Sequence, residues 1–154
     1  MTIDIIDAKI LEVLQENARI SYSELSKRIN LSLSAVSDRL KKMEASGLIS
    51  SYTTILDPAA LDRQLQAYMM VNVDSSGNID DLLNVIEEDD EVLEAHFVAG
   101  DFDYILKIAT KNTTTLAELV NRIKAVKSVK RTETTVILTG LKQRFSVPPI
   151  PNRQ

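Results

Sequence analysis

Between Ser32 and Glu44 the chain carries short polar and long basic side chains at spacings suited to hydrogen bonding with a duplex nucleic acid. With Val36, Leu40 and Met43 turned inward on a helix, an advance of about 100° per residue puts Ser34, Ser37, Asp38 and Lys41 on the opposite side. Arg39 and Lys42 then fall on the two flanks. Short polar groups near a helix N-terminus can meet base edges in a major groove, while cations along its sides hold phosphates. The N-termini of this helix and of a preceding one around Ser21–Ser23 also offer backbone N–H groups to phosphate. On this reading Arg39→Ala weakens binding to all DNA, whereas Ser34→Ala or Ser37→Ala alters sequence preference. Periodicity alone describes equally well an amphipathic helix with a solvated charged face, so the surrounding elements decide.

Ile6, Ile10, Leu11, Val13 and Leu14 follow helical spacing from about Ile5 to Asn17. Ser21-Tyr-Ser-Glu24 has the form of a capping box opening a short helix that ends near Asn30. Ser32 then caps the third helix, and Gly47 is placed to stop it. Two short helices thus meet across Asn30-Leu-Ser32. The β-branched run Ile49–Leu56, closed by Asp57-Pro58, predicts a wing or connecting strand.

Beyond Pro58 the pattern changes. Strands are predicted at about Gln66–Val73, Val92–Ala99, Tyr104–Ala109 and Val129–Leu138, with helices at about Ile79–Glu88 and Leu116–Val126. The order β-α-β-β-α-β is that of a ferredoxin-like sandwich, both helices on one face of an antiparallel sheet. Its other face would be free, with Met69, Val71, Phe97 and Ile108 nearby to invite a partner. The expected organisation is α+β: a winged helix-turn-helix domain over 1–60, a ferredoxin-like domain over 61–144, and a Pro-rich irregular tail over 145–154.

These stretches resemble the Lrp/AsnC (feast/famine) regulators from about Ile3 to Lys142. The matching residues are Asp7–Leu11, Asn17–Ser21, Glu24–Ser26, Leu31–Arg39, Leu40–Glu44, Gly47–Ile49 and Gly100–Tyr104. The resemblance implies a DNA-binding regulator that dimerises through the sheets of its second domains and often forms rings of four dimers. It also implies an amino acid or similar metabolite as effector. Read by itself, Gly100-Asp-Phe-Asp103 is a tight turn between two strands. In the family this loop helps line an effector site between dimers, which implies Gly100, Asp101, Asp103 and Tyr104 here, with Thr134, Thr135 and Val136 across from them. The linker departs from the family's pattern, with Asp62-Arg63 where a glycine usually follows the leucine.

Composition narrows the alternatives. The absence of cysteine excludes disulfides and thiolate metal sites. Acids near the start argue against a signal peptide, and no apolar run approaches the roughly 18 residues of a membrane span. A cytoplasmic protein with no membrane partner is expected. The net charge of −4 is unusual for a DNA binder, and positions 1–60 hold seven Lys/Arg against eight acids. Affinity would then rest on a local basic face and on several copies acting together.

His96, the lone histidine, reads as a packed or surface strand residue, and Glu87–Glu91 as a solvated helix end lacking calcium-loop spacing. No transition-metal site, phosphate-cradling loop or nucleophile elbow is expected, so no cofactor is. Two other readings remain at this point: an effector-free protein that wraps DNA, and an enzyme similar to the siroheme decarboxylases, for which one histidine is meagre.

Overall fold

The computed structural model describes residues 2–74 and 77–151. It divides into two compact units: the chain up to Thr54 together with the segment from Lys142 onward, and Ile55–Leu141.

The first unit is built on three helices, α1 (Ile5–Glu16), α2 (Tyr22–Ile29) and α3 (Leu33–Ala45). Each begins where a side chain satisfies the orphan N–H groups of a first turn. Asp4 and Asp7 cap one another's backbone at the start of α1, with Asp7 N–H donating to Asp4 Oδ1 at 2.7 Å. Ser21 and Glu24 form the reciprocal box of α2, and Ser32 Oγ accepts from Ala35 N–H at 3.2 Å to open α3.

Asn30 takes the left-handed conformation at φ 58°, which turns the chain sharply from α2 toward α3. At the far end Gly47 (φ 74°) donates to Glu44 O, and Leu48 to Met43 O, each at 3.0 Å. That pair of bonds is a Schellman stop. Ile10, Val13, Leu25, Val36, Leu40 and Met43 form the core between the helices.

The strand expected at Ile49–Leu56 does not form: residues 50–57 have no ladder partner among the described residues. β-Branched residues favour extended backbone, but a strand exists only where a neighbour accepts its hydrogen bonds. Tyr52 instead donates its hydroxyl to Glu44 Oε1 at 2.9 Å. The Pro-rich tail also has a seat, since Gln15 Nε2 donates to Val147 O at 2.7 Å and Ser146 Oγ at 3.2 Å.

In the second unit, β1 (Leu65–Val73), α4 (Asp80–Glu88), β2 (Val92–Phe97), β3 (Tyr104–Thr110), α5 (Thr113–Lys124) and β4 (Val129–Val136) follow in order. The sheet runs β2-β3-β1-β4, antiparallel throughout. This is the ferredoxin-like plan. α5 starts three residues before the expected Leu116, because Asn112 Oδ1 accepts from the N–H groups of Thr114 and Thr115.

Ala67, Met69, Val71, Leu106 and Ile108 pack with Leu82, Leu116, Leu119 and Ile123 of the helices, so they point to the covered face. This corrects the expectation that Met69, Val71 and Ile108 lie on the free face. The alternate residues Tyr68, Met70, Ile105 and Lys107 occupy it, since side chains on a strand alternate with period two. Phe97 is 77% exposed and packs against Tyr104, the ring centres 5.3 Å apart and the planes tilted by 51°.

Before β1, Asp62 occupies the left-handed region at φ 59°. The missing glycine therefore leaves the turn intact, and Asp is among the few residues that tolerate this geometry. Lys111 pairs with the Asp62 carboxylate, and Arg63 reaches Glu91 at 3.2 Å.

Candidate nucleic-acid and effector sites

α3 is held against α1 and α2 by Val36, Leu40 and Met43, and this fixes which side faces out. Ser34, Asp38, Lys41 and Lys42 are exposed, and Ser37 is half-buried on the shoulder of the helix rather than fully outward. Ser34 Oγ lies 3.2 Å from Ser32 Oγ. Among the described residues, Lys41 and Lys42 make no ion pair, so both ammonium groups are available to an anion.

Arg39 is different. Its Nη1 donates to Asp4 Oδ2 at 2.7 Å and to Asp7 Oδ1 at 2.6 Å, and the Asp7 side chain is only 6% exposed. The guanidinium is thus engaged by two carboxylates of the α1 capping box, which corrects the expectation that it projects freely toward phosphate. The Asp7 backbone hydrogen bond, and then Arg39, hold the Asp4 carboxyl below its usual range. The carboxylates in turn raise the Arg39 pKa. Acids at i and i+3 before a helix signal the capping box itself, though not its capture of Arg39.

Asp38, Arg39, Lys42 and Ala35 also line a groove of about 1300 Å³ with residues 2–7 and, from the tail, Ile150 and Pro151.

In the second unit the Gly100–Tyr104 loop is tied down at the end of β1. Asp103 Oδ2 accepts from Val73 N–H at 2.8 Å, and Asn72 Nδ2 donates to Asp101 O at 2.9 Å. The Arg131 guanidinium lies 4.9 Å from the centre of the Phe102 ring. Of the loop's two carboxylates, Asp103 is therefore committed to the backbone of its own unit. Asp101 is exposed and makes no ion pair among the described residues.

A Cβ at Gly100 would meet nothing within 4 Å, so the space above it is open. Thr134, Thr135 and Val136 pair with Met69, Tyr68 and Ala67 on the opposite side of β1 from β3. They lie three or more residues, about 10 Å, along β1 from the loop's anchors at Asn72 and Val73. One copy does not bring the two groups together.

His96 is exposed and sits 3.4 Å from Glu94, which also takes the Lys107 ammonium at 2.6 Å. In the Glu87–Glu91 run, Asp89 and Glu91 both face Arg122. No group of three His, Asp or Glu side chains suited to a metal ion occurs among the described residues.

A helix-turn-helix head joined to a separate four-stranded α/β unit defines a class of two-part DNA-binding regulators. Residues 3–50 match the winged helix-turn-helix DNA-binding family, and residues 66–147 match the Lrp/AsnC ligand-binding domain. The chain belongs to the Lrp/AsnC family of transcriptional regulators.

It is 36% identical over 121 residues to the HTH-type transcriptional regulator LrpB of Bacillus subtilis, covering 79% of this chain and 80% of that one. The solved structure of transcriptional regulator NMB0573 from Neisseria meningitidis, a complex with L-Met, superposes with a TM-score of 0.90 at 30% identity, covering 96% and 97% of the two chains. The feast or famine regulatory protein of M. tuberculosis, solved with L-methionine, gives 0.84 at 31% identity and covers 95% and 99%.

Proposed function

We propose that this regulator works as a homo-oligomer in the cytoplasm. α3 of each copy reads one half-site of a roughly palindromic operator, and an amino acid bound between copies adjusts assembly or DNA affinity. The observation that carries the DNA half is the outward face of α3, where Ser34, Asp38, Lys41 and Lys42 are exposed and both lysines are unpaired among the described residues. Ser34 and Ser37 are assigned to base edges, Lys41 and Lys42 to phosphates. Arg39 moves to a positioning role.

The effector half draws support from the methionine complexes of two structural relatives and from the free Asp101 carboxylate beside the open Gly100 backbone. The ammonium group of the effector would meet Asp101, with Tyr104 beside it. The separation of Thr134–Val136 from this loop within one copy suits a site completed by a second copy.

Thermal unfolding in the presence of each proteinogenic amino acid, L-methionine first, tests this half. A true effector raises the melting temperature progressively with concentration, and Asp101→Asn removes the rise. If no amino acid shifts the transition while operator binding persists, the reading becomes the effector-free DNA-wrapping protein. Lys41→Gln tests the other half, and should weaken binding to every duplex and flatten its salt dependence by about one unit.

A further inference from the structure

The tail is a basic segment without a single carboxylate side chain. From Lys142 onward the sequence has Lys142, Arg144 and Arg153 and no acid, in a protein of net charge −4. The division into units sharpens the contrast. Up to Thr54 there are seven basic and seven acidic residues, and in Ile55–Leu141 eight basic and fifteen acidic. The DNA-reading unit is positive only because the tail belongs to it.

Its placement is also specific. The Gln15 side chain holds the backbone at Val147 and the hydroxyl of Ser146, and Ile150 and Pro151 edge the groove whose other wall includes Asp38, Arg39 and Lys42 of α3. The segment therefore passes from the C-terminal half of α1 to the flank of the reading helix. Pro148, Pro149 and Pro151 fix φ and limit the conformations it can take, which lowers the entropy lost when it lies along a partner. Lys142 and Arg144 are exposed and, among the described residues, make no ion pair.

We propose that Lys142–Pro151 is a second nucleic-acid contact, an arm that binds phosphates outside the footprint of α3. This rests on the DNA-reading assignment of α3. The arm supplies sequence-independent affinity through release of condensed counterions, while α3 retains the sequence preference.

The test is the double variant Lys142→Gln/Arg144→Gln of the full chain, titrated onto a random-sequence duplex across a range of salt. Loss of two phosphate contacts should reduce the slope of log affinity against log salt by about two units. At about 0.1 M salt, affinity should fall roughly 60-fold, with the order of preference among operator sequences unchanged. Both side chains are exposed, so an unaltered unfolding transition accompanies the loss. An unchanged slope and affinity would overturn the arm, and so would tighter binding, which would mean that the tail screens α3. Failure of the parent chain to bind any duplex at low salt would instead strike at the assignment of α3.

Discussion

At the scale of single residues, Arg39 shows how an apparent ligand contact can be internal support. Its two short bonds to Asp4 and Asp7 join the start of α1 to the middle of α3. Arg39→Gln leaves the Asp7 carboxylate, nearly buried, without its cation. The expected cost is roughly 2 kcal/mol in a denaturant melt, between an exposed pair and a fully buried one. The salt dependence of DNA binding should hold, because no phosphate contact is removed. Acid should act on the same cluster. The Asp4 carboxyl is held below its unfolded value, so its contribution is present above about pH 4 and is lost as pH falls through the lowered value. Asp4→Asn should flatten the acid limb of the stability profile, measured by thermal melts between about pH 2 and 6.

Among the elements, α3 has the most explicit boundaries. Gly47→Ala forces a left-handed alanine into the Schellman stop and should cost about 1 kcal/mol in thermal denaturation, with no strike against neighbouring atoms. The punctuation that sets these ends was legible in the sequence: Ser21 with Glu24, Ser32, and Gly47 each act through their own backbone turn. Residues that act through distant partners were not. Asp7 and Arg39 are 32 positions apart, and nothing local to either announces the pair. Ile49–Leu56 has the composition of a strand, yet pairing is a property of a neighbour, and none lies beside it among the described residues. On β1 the free and covered faces carry Tyr68 and Met70 against Met69 and Val71, all large and apolar, so alternation gave no parity. The Gly100–Tyr104 loop was correctly placed between β2 and β3, but the capture of the Asp103 carboxylate by Val73 N–H depends on where β1 ends.

For the whole molecule, the uncovered side of the sheet matters most. Tyr68, Met70 and Ile105 form an apolar strip there beside Lys107 and Glu94, and self-association through it is the simplest way to remove it from water. Met70→Glu should yield a smaller species in sedimentation velocity while its far-ultraviolet spectrum stays that of the parent. Operator affinity should drop with it, since linked heads bind through effective concentration. The route of the backbone adds a mechanical point. The chain leaves the head after Thr54 and re-enters it at Lys142, so the ligand-binding unit is threaded into the head as an insertion. Any change in the inserted unit would therefore reach the head along two stretches of chain, one leading from α3 and the other entering at Lys142.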